Sequence, residues 1–187
     1  MRTSSFTVFP SVGSLVPGWL LVVPNLTFTC VGEIPVEQHA ELEDLVGFLK
    51  GKLDRHFGRV VSFEHGPSCI NSLAGCGVNQ AHVHLVPFQG DLKNAVQEFV
   101  ADKLNWEEVA NWSDLARPFS SGMDYLYLEQ DGKKHFAAAP KFGSQLFRRA
   151  IASHVGHPER YDWKQYDNAE NLESTISLFA NELSTAH

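Results

Sequence analysis

The chain has 187 residues, 43% hydrophobic and 11% aromatic, which is enough to bury the core of one globular domain and unlike a disordered composition. Its formal net charge of −7, with no lysine- or arginine-rich run, argues against a duplex nucleic-acid partner but leaves room for a small anionic ligand at a local positive site. The cysteines Cys30, Cys69 and Cys76 are odd in number and form no CxxC pair, so a reducing, cytoplasmic setting is expected and each thiol reads first as a small buried residue.

The N-terminal third carries strand-like pieces at Phe6–Phe9, Trp19–Val23 and Leu26–Val31, punctuated by Pro10, Gly13, Pro17, Gly18 and Pro24, which suggests an antiparallel meander. The most apolar stretch, residues 15–24, is interrupted by Pro17 and Gly18 and falls short of the ~20 residues that span a bilayer, so no membrane partner is expected. After Pro35, the apolar positions Leu42, Leu45, Val46, Leu49, Leu53 and Phe57 recur at helical spacing. Acids stand early and bases late, as the helix dipole favours, and Gly58 is a natural stop. Val60–Glu64 reads as a strand running into the turn His65-Gly66-Pro67.

A second strand covers residues 80–86. Asp91 then caps an amphipathic helix carrying Leu92, Val96, Val100 and Leu104. Tyr125–Gln130 and Lys134–Ala139 form a hairpin about Asp131-Gly132, and two helices close the chain, Ser144–Val155 and about Ala169–Leu183. Trp106, Trp112 and Trp163 read as core residues, and Arg148 and Arg149 as surface charges. Strands and helices in separate runs make this an α+β protein.

The stretch Gln80-Ala81-His82-Val83-His84 raises the chemical question. Strand side chains alternate, so Gln80, His82 and His84 share one face while Ala81, Val83 and Leu85 share the other. Two histidines so placed have three readings. They can be locally satisfied, half-buried side chains. They can ligate a metal, as in a zinc site drawing on His65, Cys69 or Cys76 with His82, although the spacing fits no standard zinc pattern and no acid follows before Asp91. Or one imidazole can attack phosphorus while its neighbours hold the phosphate oxygens.

The run Gln80-Ala81-His82-Val83-His84-Leu85-Val86-Pro87 resembles the signature of the histidine-triad (HIT) superfamily of nucleotide hydrolases and transferases, with glutamine where the first histidine is usual. The Gly-Trp-Leu-Leu-Val-Val-Pro segment and Phe63-Glu64-His65-Gly66-Pro67 match in order and spacing over about residues 5–105. Asn25–Phe28 departs where many members carry lysine and histidine. Residues 142–149 and Asp162-Trp163 resemble, more loosely, the region after the triad module in CwfJ-type proteins.

The resemblance implies a HIT-like α+β domain at residues 1–110 and a C-terminal extension at 111–187 packed on it. It implies a nucleotide as small-molecule substrate, no cofactor, no metal and, as often among relatives, a homodimer. His82 is the implied nucleophile toward an α-phosphate, with His84 and Gln80 contacting the phosphoryl oxygens. Glu64 and His65 are candidates for contact with the leaving group or ribose, against the plain alternative that Glu64 caps the turn His65-Gly66-Pro67 or simply meets solvent. Gly75 and Gly77 are candidates for close backbone approach to phosphate, against an ordinary loop. Glutamine at position 80 can donate a hydrogen bond but not a proton to a departing group, so phosphoanhydrides such as dinucleoside polyphosphates are expected to be better substrates than phosphoramidates. A noncatalytic nucleotide-binding or scaffolding module is the alternative.

Overall fold

Alternating apolar residues make strands of Phe6–Pro10 (β1) and Leu20–Pro24 (β2), which pair antiparallel with Val8 opposite Val22. The computed structural model describes residues 1–70, 72, 78–139 and 145–184. Leu26–Val31 is not a third strand, contrary to expectation. The free edge of β2 is taken instead by Val83–Pro87 (β4), and Val31–Glu33 closes into a short 3-10 turn. Residues 26–28 nevertheless serve the site, because the Phe28 carbonyl accepts from Ala81 N–H at 2.6 Å.

The expected long helix is His39–Phe57 (α1), ending at Gly58. It buries Leu42, Leu45, Val46, Leu49 and Leu53 against one face of the sheet, each burial worth about 1.5–3 kcal/mol. Val60–Gly66 (β3) runs two residues further than its sequence suggests. His65 and Gly66 continue the ladder opposite Leu126 and Tyr125 of the hairpin strand Tyr125–Gln130 (β6).

β4 begins only at Val83. Its partner segment in β2 is Leu20–Val22, and Pro24, at the end of β2, has no N–H to carry the ladder back to Ala81, so Gln80–His82 form a lead-in before the strand. The helix capped by Asp91 spans Leu92–Gln97 (α2) rather than reaching Leu104. The Gln97 side chain accepts from Leu104 N–H and donates to the Asp102 carbonyl, satisfying a turn where the longer helix was expected, while Val100 and Leu104 still reach the core.

Glu107–Val109 (β5), Ala116–Ser120 (α3), Lys133–Ala138 (β7), Leu146–His154 (α4) and Ala169–Ser184 (α5) complete the strands and α-helices among the described residues. Among the described residues, seven strands form one antiparallel sheet in the order β1-β2-β4-β3-β6-β7-β5. The β6–β7 hairpin therefore extends the sheet begun by residues before 110. Its turn residues Asp131 and Gly132 both have positive φ, as a tight hairpin requires. α1 covers the face carrying Val83, Leu85, Tyr125 and Tyr127. α2 and α4 cover the opposite face with Val61, Phe63, Val86 and Leu128. The α+β class is as expected, and no helix among the described residues is long and apolar enough to cross a membrane.

Candidate active site

On the face covered by α4, the β1–β2–β4 end of the sheet forms a cleft of about 250 Å³. Its walls are apolar, including Phe9, Leu21, Val23, Val78 and Trp163, and among the described residues its polar side chains are Ser11, Gln80, His82, His84 and Arg148. The alternation expected for the histidine strand holds. His82 and His84 stand on this face with ring centroids 4.8 Å apart, and Val83 and Leu85 enter the core beneath α1.

The two imidazoles differ in what holds them. His84 lies opposite Leu21 on one side and Phe63 on the other, and its ring stacks on Phe63 at 4.5 Å and 18°. The indole Nε1 of Trp19 donates to His84 Nδ1 at 3.0 Å. An indole N–H can only donate, so His84 Nδ1 accepts and the neutral ring carries its proton on Nε2. That Nε2 is buried with no hydrogen-bond partner among the described residues. His82 Nδ1 lies 2.7 Å from the Gln80 carbonyl oxygen. A carbonyl can only accept, so the neutral His82 ring is protonated on Nδ1 and keeps the lone pair on Nε2. The neighbouring rings thus hold opposite tautomers, one presenting a lone pair and the other an N–H.

Gln80 lines the cleft but does not offer it an N–H. Both amide hydrogens go to backbone carbonyls, Pro24 at 3.1 Å and Leu26 at 3.0 Å, so its amide ties the lead-in to the turn after β2. Glu64 lies on the other face of the sheet, away from the histidines. One carboxylate oxygen accepts from Val31 N–H and the other from the Tyr125 hydroxyl, both at 2.7 Å, which closes the 3-10 turn at Val31–Glu33 onto β3. His65 is on the histidine face but is packed against Phe63 and Phe147 and does not line the cleft. Gly75 and Gly77, like Cys76, fall outside the described residues. Cys30 is a buried thiol beside Glu64, its pKa pushed up to about 12 first by burial and then by that carboxylate, whereas Cys69 is exposed. No cluster of three or more His, Cys, Asp or Glu side chains is placed to hold a metal among the described residues.

Three contributors escape the sequence reading. Trp19 shares a strand face with Leu21 and Val23, a period-two signal that places it beside the histidines. Trp163 lines the cleft rather than the core, unlike the buried Trp112. Arg148 is buried rather than a surface charge, and its helical spacing to Ile151 and Ala152 is the signal that puts it on the inward face. Both come from the C-terminal segment, which is knitted to the β1–β2 loop. The Gly13 carbonyl accepts from Arg148 Nη2 and Asn168 Nδ2, Gly13 N–H donates to the Asp167 carbonyl, and Asn171 Nδ2 donates to the Ser14 carbonyl.

Burial sets the protonation around the site. It lowers His82, against the opposing pull of the Gln80 carbonyl, and drives His84 well below the ordinary imidazole value. His65 falls to about 3, from burial first and then repulsion by His82 and Arg148. Glu64 moves the other way, up to about 7, because burial outweighs its hydrogen bonds to Tyr125 and Val31.

These shifts have opposite linkage. The histidine contributions are present above the unfolded value of 6.5 and are lost as pH falls through the depressed folded values. The Glu64 contribution is fully present below 4.5 and is lost as pH rises through about 7. Glu64→Gln, which resembles the protonated carboxyl, is therefore expected to gain stability relative to wild type between pH 5 and 8. The full swing is about 3 kcal/mol. Melting curves across that range check it, and parallel wild-type and variant profiles would mean that Glu64 titrates normally.

No family model matches the chain, and no curated protein matches it.

Proposed function

We propose that the chain is a nucleotide hydrolase or nucleotidyltransferase of the histidine-triad type, acting at an α-phosphate through a covalent intermediate on His82. The observation that carries this reading is the pair of opposite tautomers in one cleft, a His82 Nε2 lone pair beside a His84 N–H that has no hydrogen-bond partner among the described residues. The antiparallel sheet, with the histidine strand between β2 and β3, is compatible with a HIT-like fold.

In the proposed reaction the His82 Nε2 lone pair attacks the α-phosphorus, and the bond to the bridging oxygen breaks with its electron pair leaving on the departing phosphate. His84 Nε2–H meets a phosphoryl oxygen as charge grows there. Water or another acceptor then attacks the same phosphorus, its proton goes to solvent, and the phosphorus–nitrogen bond breaks to restore His82. The apolar walls suit the base and sugar, and the histidine end suits the phosphate. Gln80 supplies no proton, so phosphoanhydrides of the dinucleoside polyphosphate type remain the favoured substrates over phosphoramidates.

The test is trapping. Protein mixed with diadenosine tetraphosphate and quenched in base should carry one nucleotidyl group, lost in acid, on the peptide containing His82, since a phosphorus–nitrogen bond survives base better than acid. Turnover without any such adduct, or an adduct on another residue, overturns the mechanism. The second reading, a noncatalytic nucleotide-binding module, draws on the Gln80 amide being tied to Pro24 and Leu26. Nucleotide binding without turnover of either phosphoanhydride or phosphoramidate would decide for it.

A further inference from the structure

The ladder between β2 and β4 ends with Val22 opposite Val83, one residue short of His82. Three hydrogen bonds to residues 24–28 hold the lead-in beyond that point. Ala81 N–H donates to the Phe28 carbonyl at 2.6 Å, and the Gln80 amide nitrogen donates to the carbonyls of Pro24 at 3.1 Å and Leu26 at 3.0 Å. The first is a backbone bond, open to any residue but proline at position 81. The other two depend on the side chain at position 80.

The Gln80 carbonyl and the Ala81 N–H belong to one planar peptide unit, in which they point in opposite directions. Phe28 fixes the N–H, and the carbonyl oxygen lies 2.7 Å from His82 Nδ1. The Gln80 amide binds the chain just before Phe28, so it holds in place the segment against which that peptide is oriented. Which nitrogen of a neutral imidazole carries the proton is set by the bond the other nitrogen makes. Here Nδ1–H goes to the Gln80 carbonyl, and the lone pair is left on Nε2 of a ring that lines the cleft. A primary amide presents two N–H groups on one uncharged nitrogen, whereas a ring nitrogen of histidine presents one at most.

We propose that Gln80 is a positioning residue for the nucleophile: its amide clamps the peptide between residues 80 and 81 to residues 24–28, and so keeps the His82 proton on Nδ1 and the lone pair on Nε2. The proposal rests on reading His82 as the attacking group. Glutamine at position 80 then acts through His82 and stands in for neither an acid nor a charge. Two of the three acceptors, Leu26 and Phe28, lie in the stretch that departs from the histidine-triad pattern, so the clamp belongs to this chain.

The experiment uses Gln80→Met, which keeps an unbranched side chain and removes both N–H groups. The two amide bonds are part-buried and exposed, so water can replace the amide and the variant is expected to fold. Nitrogen NMR of the full-length protein with labelled histidine is read at about pH 8, where the lowered His82 pKa leaves the ring neutral. The His82 signals are assigned by their loss in His82→Ala. In wild type Nδ1 should read as protonated and Nε2 as bare. In Gln80→Met the two signals should move toward each other as the tautomers mix. For diadenosine tetraphosphate, kcat should fall roughly 10- to 100-fold, the cost of a misplaced reacting group, with KM within about threefold.

A role in stability alone would lower the melting temperature and leave the nitrogen pattern unmoved. An unchanged pattern in Gln80→Met, or kcat within about twofold of wild type, overturns the proposal. Wild type with Nε2 protonated overturns it together with the nucleophile assignment. Wild type with the expected pattern but no turnover removes the nucleophile reading, and with it the catalytic part of the proposal, while the Gln80→Met spectrum still decides whether the amide sets the tautomer. A measurement on wild type guards against a variant that folds poorly. The Gln80 side-chain amide hydrogens, assigned through the backbone, should exchange with solvent more slowly than those of an exposed glutamine. Equal exchange overturns the proposal however the variant behaves.

Discussion

His82→Ala is expected to lower turnover of a dinucleoside polyphosphate by at least about 10³-fold, because it removes the atom that forms the new bond to phosphorus. Binding of the nucleotide should change only a few-fold, since the apolar walls, His84 and Arg148 all remain. Folding should be nearly unaffected. His82 sits in the lead-in before β4, and its ring makes one backbone contact, to Gln80. The measurement is single-turnover kinetics beside a thermal melt. His84→Ala provides the contrast: the adduct on His82 should still form, more slowly, because the nucleophile is intact and only a stabilising N–H is gone. Turnover of His82→Ala within about tenfold of wild type would remove His82 from the role of nucleophile.

Gly13→Ala should combine the largest loss of stability with damage to the cleft. Gly13 has φ of +67°, and a Cβ there would lie 2.7 Å from the Trp163 Cβ, 2.8 Å from the Tyr166 carbonyl oxygen and 2.9 Å from the Trp163 Cα. Backbone atoms dominate those contacts, so no side-chain rotation relieves them, and the left-handed conformation adds its own strain for alanine. The β1–β2 loop must move away from the C-terminal segment. That movement weakens the bonds of Gly13 to Arg148, Asp167 and Asn168 together. The expected loss is about 3 kcal/mol, and calorimetry should show a Tm lower by roughly 6–12 °C. Trp163 and Arg148 lie on the side that moves, so KM for a nucleotide should rise as well. A Tm within about 2 °C of wild type would mean that the loop and the C-terminal segment are not held together as described.

How far the site can be read from sequence depends on the distance over which each contact is made. Gln80, His82 and His84 were legible as one face because strand side chains alternate whatever surrounds them. The same rule puts Glu64 and His65 on opposite faces. It does not say which of them joins the histidines. The pairing of Phe63 with His84 decides that, placing His65 with them and Glu64 under α1. The shortened α2 and the missing strand at Leu26–Val31 were not legible for a related reason. Gln97 reaching Leu104 and β4 taking the edge of β2 are tertiary choices that override local propensity.

The sequence by itself determined the α+β class, the long helix with its apolar stripe, the tight hairpin at Asp131-Gly132 and the sharing of one face by His82 and His84. These follow from periodicity and turn chemistry, which act within a few residues. Only the tertiary structure decided which imidazole carries its proton on which nitrogen, and that a C-terminal arginine and tryptophan complete the cleft. The Trp19–His84 bond joins residues 65 positions apart and the Arg148–Gly13 bond residues 135 apart. Burial and tautomer depend on such partners, and no local pattern fixes which distant side chain arrives.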